Sequence, residues 1–278
     1  MSSVTTRPAL RVRPGIVLRQ MLAERRRTLA WWSVSIAALA AIIGASYPTV
    51  KDFGSQLEEL LRQLPRGVIE LMGAGGGLVS PEGYLNSRFY SGLFPILLLV
   101  FGIMVAAWTV AGAEREGTLE PLLANPVSRT RVALERFAGT AVLLAMLTFV
   151  GTAVFVVLRG PFELTSLGVG RLVAAGVGVF LLAMVFTALT FATGAATGNK
   201  GAAIAAGAGA AAATYLVFAL AAFVEFFGNL RWLSPWDWFL SPSPLTDGWT
   251  AWAVWPPLLV IAVAVALGTA LFARRDLR

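Results

Sequence analysis

The chain alternates between long apolar stretches and short polar ones. Six of the apolar stretches come close to the roughly 20 residues that a helix needs to cross a hydrocarbon layer of about 30 Å. They cover residues 28–45, 91–111, 132–158, 172–193, 201–224 and 252–272. We therefore predict an all-α integral membrane protein with six transmembrane helices, organised as a single transmembrane domain over residues 1–278.

Composition supports a membrane environment. The 278 residues are 57% hydrophobic and 13% charged, whereas soluble domains carry about 25% charged residues. The chain contains neither cysteine nor histidine. This excludes disulfides, thiolate nucleophiles, imidazole acid–base catalysts and zinc sites of the usual kind.

The distribution of basic residues predicts the topology. With both termini inside, 15 of the 22 lysines and arginines fall in cytoplasmic segments, as the positive-inside rule requires. The net charge of +7 is thus explained by topology, and no nucleic-acid partner is expected. We predict a multi-pass protein of the cell (cytoplasmic) membrane with both termini cytoplasmic. No short apolar stretch with a small-residue cleavage site opens the chain, so no removable signal peptide is expected.

Residues 15–27 have the pattern of an amphipathic helix. Val17, Leu18, Met21 and Leu22 share one helical face, and three arginines at 25–27 close the segment. This predicts an N-terminal elbow helix on the inner membrane surface, with its bases toward anionic headgroups. It acts either as an anchor alone or as a contact for a partner as well.

The outer loop over residues 46–88 contains a second amphipathic pattern. Ser55 and Glu58 form a capping box, and leucines at 57, 60, 61 and 64 repeat with helical spacing. Pro65 ends or kinks this helix. We expect it to rest on the protein or on the outer leaflet; a substrate lid is the alternative.

Aromatic residues and prolines alternate in the outer segment over residues 225–250. Prolines between apolar aromatic pieces predict short re-entrant helices before the last span, because irregular backbone is tolerated at membrane depth only inside protein or a cavity. An interfacial aromatic belt is the alternative. The candidate outer gate consists of Trp232, Pro235, Trp236 and Trp238.

Small residues dominate the start of the fifth span. Gly201, Ala205 and Gly209 recur every four residues, and Gly207 belongs to a second such series. Small residues let helix backbones approach closely in lipid. We predict a dimer seam or a transport pathway here, although compositional drift toward alanine and glycine gives the same pattern.

Several kinds of chemistry are missing from the chain. No Gly-x-x-x-x-Gly-Lys-Ser/Thr sequence occurs, so the chain has no P-loop. The interiors of the predicted spans carry essentially no ionisable residue, and Glu135, Arg136, Lys200 and Glu225 lie at span ends. A proton-coupled transporter normally carries ionisable residues deeper inside. Energy is therefore expected to enter through another protein.

A polar loop over residues 114–129 joins the second and third spans. It contains an acidic cluster at Glu114 and Glu116, then Gly117-Thr118-Leu119-Glu120, a leucine pair and Pro126-Val127-Ser128-Arg129. This string resembles the cytoplasmic loop of type-2 exporter permeases of the ATP-binding-cassette (ABC) transporters. Leu233-Ser234-Pro235 before the last span and Arg275-Asp276-Leu277 after it also resemble that family.

The resemblance implies a coupling helix that inserts into a groove on an ATPase subunit. Thr118 would cap it and the leucines would fill the groove. Pro121, where the family usually has an apolar residue, is harmless in a first turn, so the helix should begin near Glu120. The coupling residues implied are Glu114, Glu116, Gly117, Thr118, Leu119, Glu120, Leu122, Leu123, Pro126, Val127, Ser128 and Arg129.

The resulting hypothesis is a permease subunit of an ABC exporter, which moves a hydrophobic or amphipathic substrate and is not itself an enzyme. The implied partners are an ATPase subunit, a second permease copy in a homo- or heterodimer, and membrane lipid. The chain binds no cofactor, and ATP and Mg belong to the ATPase partner. The alternatives are a secondary transporter or channel and, less favoured, a lipid-modifying membrane enzyme. For that enzyme Asp237 and Asp247 are the candidate acids, and alanine at either position should leave export intact if the permease hypothesis is right.

Overall fold

A computed structural model describes residues 15–61, 80–112, 128–221 and 223–275. These parts of the chain contain helices and no strand. Six helical stretches are long and apolar enough to cross a membrane, which confirms the predicted fold class. The helices are α1 (Ile16–Leu61), α2 (Pro81–Leu85), α3 (Phe94–Ala107), α4 (Arg129–Leu158), α5 (Val169–Thr197), α6 (Lys200–Leu220), α7 (Glu225–Leu230), α8 (Pro235–Leu240) and α9 (Ala251–Arg274).

The second transmembrane stretch is irregular at both ends. A π-helical segment, Asn86–Leu93, joins α2 to α3, and a second one, Trp108–Gly112, follows α3. Gly92 has φ −94° and ψ −119°, so the chain kinks there. π-Helical turns are rare and are frequent at functional sites. A third π-helical segment, Ser243–Asp247, and a 3₁₀ turn, Arg231–Leu233, flank α8.

Several helices begin at a polar residue whose side chain accepts a hydrogen bond from a backbone N–H of the first turn, which has no partner within the helix. Ser80 accepts from Gly83, Ser128 from Arg131, Asn199 from Ala202 and Thr250 from Ala253. The turn between α5 and α6 is short because Gly198 adopts a left-handed φ of 66° and Asn199 immediately caps the next helix. A side chain at position 198 would also meet the Arg275 guanidinium, 2.7 Å from its Cβ.

The N-terminal segment does not confirm a separate elbow helix. Residues 16–61 form one helix of 46 residues, roughly 70 Å long at 1.5 Å per residue. No residue between Ile16 and Thr28 breaks a helix, and arginines favour one. The helix also passes Pro48, and the Ser46 hydroxyl donates to the Ile42 carbonyl just before it at 2.7 Å. Residues 46–61, expected in the outer loop, therefore continue α1, and no new helix begins at Ser55.

Helix α5 is the centre of the bundle. It packs against α3, α4, α6 and α9, and α1 packs mainly against α4. The most apolar stretch of α5 is 78% buried, whereas that of α6 is 11% buried. The corresponding stretches of α1 and α9 are 17% and 28% buried, so α1, α6 and α9 have faces left for lipid or another subunit.

Three neighbours approach α5 through glycine. A Cβ on Gly102 of α3 would lie 2.2 Å from the Thr187 hydroxyl, and one on Gly268 of α9 would lie 2.7 Å from the Ala192 Cα. Gly207 of α6 meets Thr190 in the same way. The α5 threonines themselves bond along their own helix: the hydroxyls of Thr187 and Thr190 donate to the carbonyls four residues before them, at 2.8 Å each.

Candidate functional site

The polar loop is attached to the bundle at both ends. Of its predicted coupling residues, Ser128 and Arg129 are described. The other ten lie outside the described residues: Glu114, Glu116, Gly117, Thr118, Leu119, Glu120, Leu122, Leu123, Pro126 and Val127. What the structure describes of this loop is therefore its two attachments, which we call the loop anchors. They are Trp108–Gly112 with Arg136 on the entering side, and Ser128–Arg129 with Arg275 on the leaving side.

The leaving anchor joins three helix ends through main-chain carbonyls. Ser128 caps α4, accepting from the Arg131 N–H at 3.3 Å. Arg129 Nη1 donates to the Arg275 carbonyl at 2.6 Å, just past the end of α9. Arg275 Nη1 in turn donates to the Ala195 carbonyl of α5 at 3.2 Å. A displacement of the loop at this point thus acts on α4, α5 and α9 together.

The entering anchor depends on a buried arginine. Arg136 of α4 is 6% exposed, and its Nη1 donates to the Thr109 carbonyl in the π-helical turn. The ring of Trp108 lies 4.4 Å from the Arg25 guanidinium carbon and 5.4 Å from that of Arg136. Such cation–π contacts stabilise most when desolvated. The two arginines tie this turn to α1 and α4.

The predicted elbow residues contact α4. Met21 is 3% exposed, and a Cβ on Gly139 would lie 2.7 Å from its sulfur and 3.3 Å from a Leu18 methyl. Leu22 packs against the same core. The described side chains of this face are therefore occupied within the subunit; the Val17 side chain is not among them.

The small residues of α6 divide between two faces. Gly207 is buried, and a Cβ there would lie 1.9 Å from the Thr190 hydroxyl of α5. Gly207 therefore packs within the subunit and is not part of a surface that a second copy reaches. Gly201, Ala205 and Gly209 are exposed, so the every-four series that contains them remains the candidate seam.

The candidate outer gate is joined to α6 by hydrogen bonds. Trp236 is 6% exposed and donates to the Ala211 carbonyl at 3.1 Å, and the Ser234 hydroxyl donates to the Thr214 carbonyl at 2.9 Å. Pro235, at the first position of α8, and Trp238 are also buried, whereas Trp232 is 57% exposed. Short helices do occur here, and their re-entrant depth is not confirmed.

A family model described as "ABC-2 family transporter protein" matches residues 16–277. The match spans both loop anchors and all six long helices. The chain belongs to the ABC-2 transporter family. It is therefore a membrane permease of an ABC-type transporter, and the family is one of transporters rather than enzymes. Comparison with curated proteins finds no match.

An ion pair that the sequence did not predict stabilises the outer segment of this ABC-2 permease. Asp237 is 8% exposed and accepts from Arg231 Nε and from the Ser241 hydroxyl. The Arg231 guanidinium also lies 5.2 Å from the Phe218 ring of α6. Asp237 is therefore a structural acid that joins α8 to the preceding turn, and we no longer expect its alanine variant to be neutral.

Asp237→Asn should destabilise the ABC-2 permease, whereas Asp247→Asn should not. The first change removes a buried charge from two hydrogen bonds, which typically costs about 1.5–3 kcal/mol. Asp247 is exposed and serves as the matched control. Thermal unfolding in detergent should show a midpoint several degrees lower for Asp237→Asn alone, and equal midpoints would contradict a structural role.

The contacts of two anchor residues of the ABC-2 permease were not predicted from the sequence. Arg136 lies near the start of α4, at the end of a span as expected, but its burial was not expected. A signal was present, since Arg136 follows Val132 and precedes Thr140 by four residues, and both are buried. Because residues four apart share one face of a helix, this spacing places Arg136 on the face of Val132. Trp108 carried no such signal, because its arginine partners lie on α1 and α4.

Proposed function

We propose that this chain is the membrane-spanning subunit of an ABC exporter, which moves a hydrophobic or amphipathic substrate across the cytoplasmic membrane with energy from a separate ATPase subunit. Family membership supports the permease role. The absence of a P-loop sequence supports a separate source of ATP hydrolysis. ATP and Mg would be bound by that partner.

The observation that carries this proposal is the pair of loop anchors. Arg129 and Arg275 connect one end of the polar loop to α4, α5 and α9, and Arg136 connects its other end to α4. A partner that binds the loop and displaces it would therefore move several transmembrane helices at once. An ordinary connector needs no such attachment at both ends.

The anchors also favour a cytoplasmic position for the loop. They collect Arg25, Arg129, Arg136 and Arg275 at one end of the bundle. Positive residues concentrate on the cytoplasmic side of membrane proteins. With six spans, both termini then lie in the cytoplasm, where an ATPase partner has access to ATP.

We further propose that two permease copies pair along the exposed face of α6. Gly201, Ala205 and Gly209 lie on this face, and small residues permit close helix contact in lipid. The pathway would run beside this seam, and Trp232, Pro235, Trp236 and Trp238 would form its outer gate. The burial and hydrogen bonds of Trp236 and Trp238 suit a rigid closure.

Leu123→Asp should separate the permease from its ATPase. Burying a leucine side chain typically contributes about 1.5–3 kcal/mol, and a carboxylate in the same groove would lose that energy and its own hydration. We expect co-purification of the ATPase subunit to fall at least about tenfold, at the 1.4 kcal/mol that corresponds to a factor of ten.

Leu123→Met is the matched control, because it keeps an apolar side chain of similar volume and should retain the partner. Equal ATPase recovery with Leu123→Asp would contradict docking through this loop. Purified chain that hydrolyses ATP alone, or that co-purifies with no nucleotide-binding subunit, would contradict the proposed function as a whole.

A further inference from the structure

A long groove opens on the exposed side of the bundle. Its wider part encloses about 650 Å³ between α1, the Asn86–Leu93 turn and Tyr215 of α6. A narrower part of about 350 Å³ continues between α3 and α6. The two parts share Ser91, Gly92, Ile96 and Tyr215 as lining residues, so together they form one groove, which we call the α3–α6 groove.

The polar chemistry of this groove is concentrated at its wider end. Five residues with a hydroxyl group line it, Tyr215 among them, and the hydroxyls of the other four donate their protons within the protein. Ser46 donates to Ile42, Tyr84 to Ile43, Ser87 to Tyr84 and Ser91 to Asn86, at distances of 2.7–3.2 Å. The hydroxyls of these three serines and of Tyr84 therefore retain only acceptor capacity, and they do not supply the groove with donors.

Arg88 supplies the charge. It lines the wider part of the groove and is exposed. Among the described residues, no carboxylate forms an ion pair with it; the nearby ion pairs are Arg171–Glu82 and Lys51–Glu163. The N–H groups of the Arg88 guanidinium are thus available to donate hydrogen bonds to a ligand in the groove. Their planar arrangement suits a carboxylate or a phosphate.

The rest of the groove is apolar. Ile96, Val100 and Ile103 line its α3 side, and Ala208 and Ala212 line its α6 side. From Ile96 to Ile103 an α-helix rises roughly 10 Å, so the groove presents one cation and, beyond it, an apolar wall about a third as long as the hydrocarbon layer is thick. The kinked π-helical turn at Gly92 lies between the two parts.

We propose that the α3–α6 groove binds an anionic amphiphile, a molecule with one carboxylate or phosphate head on an apolar chain. The head pairs with Arg88 and the chain lies along Ile96, Val100 and Ile103. This inference rests on the proposed function and deepens it, because it gives the charge and shape of the substrate class. An anionic membrane lipid shares this chemistry, and the experiment below separates the two sources.

The test uses the purified full-length chain in a neutral detergent and four single-chain probes of equal length: dodecanoate, dodecyl phosphate, dodecanol and dodecylammonium. Equilibrium dialysis below the micellar concentration of each probe measures binding. Both anions should bind at least about tenfold more tightly than the alcohol, and the cation should bind no better than the alcohol. Equal affinity for all four probes would overturn the proposal.

Arg88→Gln should reduce the affinity for both anions to that for dodecanol. Arg159→Gln is the matched control, because Arg159 is at the other end of α4 from the loop anchors and does not line the groove. Ile96→Trp should weaken anion and alcohol binding alike by filling the groove. Anion preference that survives Arg88→Gln, or that Arg159→Gln abolishes equally, would overturn the assignment to this groove.

A lipid arm identifies the source of the anion. Displacement of bound dodecanoate by phosphatidylglycerol, and not by phosphatidylcholine, would support an anionic lipid as the occupant; retention against both would support a single-chain anion. These measurements require no ATPase partner. They therefore succeed or fail independently of the Leu123→Asp result that tests the proposed function.

Discussion

Replacing Gly207 with leucine is expected to destabilise the bundle strongly. A Cβ at this position would lie 1.9 Å from the Thr190 hydroxyl and 3.3 Å from the Phe186 carbonyl oxygen. Thr190 is fully buried and donates to that same carbonyl at 2.8 Å. The threonine cannot turn away without losing its hydrogen bond, so α6 must separate from α5.

Overpacking of this kind typically costs about 1–3 kcal/mol and occasionally more. We expect the upper end here, because both contacts lie on the central helix and leucine adds three carbons beyond the Cβ. At roughly 2–4 °C per kcal/mol for chains of this size, thermal unfolding in detergent should show a midpoint lowered by about 6 °C or more, together with poor recovery of folded protein.

Two further variants make this prediction specific. A Cβ on Gly209 would meet nothing within 4 Å, so the midpoint of Gly209→Leu should match the wild type even if pairing between copies weakens. Thr190→Ala should rescue Gly207→Ala by removing the clashing oxygen. A Gly207→Leu protein as stable as Gly209→Leu would show that α6 does not pack on α5 as described.

Arg136→Met is expected to loosen the entering loop anchor. Methionine keeps much of the apolar stem and cannot donate to the Thr109 carbonyl. That carbonyl would lose a charged donor, a bond that is typically worth about 1.5–3 kcal/mol, and Trp108 would lose one of its two cationic neighbours. Hydrogen–deuterium exchange should rise by about tenfold in peptides covering Trp108–Gly112, since 1.4 kcal/mol corresponds to a factor of ten.

Arg131→Met is the matched control for this change. Arg131 lies on the same helix near the same loop, but its pair with Glu135 is partly exposed at 34% and 16%, and such pairs contribute about 1 kcal/mol or less. Hydrogen–deuterium exchange at Trp108–Gly112 in the Arg131→Met variant should stay close to that of the wild type. Equal hydrogen–deuterium exchange at Trp108–Gly112 in the two variants would show that Arg136 does not stabilise the entering anchor.

The fold class could be predicted from the sequence because run length alone distinguishes a membrane span from a soluble helix. The extent of α1 could not. Proline disfavours the interior of a helix, yet α1 continues past Pro48, where the Ser46 hydroxyl bonds to the Ile42 carbonyl of the preceding turn.

The packing partners of individual residues were harder to predict than the helices. Gly207 and Gly209 both belong to series of small residues with a spacing of four. The spacing does not show which series packs against α5. That packing depends on Thr190, a residue that lies 17 positions before Gly207, on another helix. The role of Arg136 likewise depends on its contact with the Thr109 carbonyl, which no local pattern shows. The local sequence pattern predicts the helices, whereas the site residues are determined by contacts between segments that are distant in sequence.

The threonines of α5 have a mechanical consequence. Because Thr187 and Thr190 direct their hydrogen bonds along their own helix, and Gly102, Gly207 and Gly268 present smooth surfaces to it, these contacts include no cross-links that sliding would break. Shear between packed helices is one of the standard ways in which proteins rearrange. A pull on the anchors at one end would thus travel through the membrane as a translation of α5 past α3 and α6, while the Arg275–Ala195 hydrogen bond holds the end of α9 to α5.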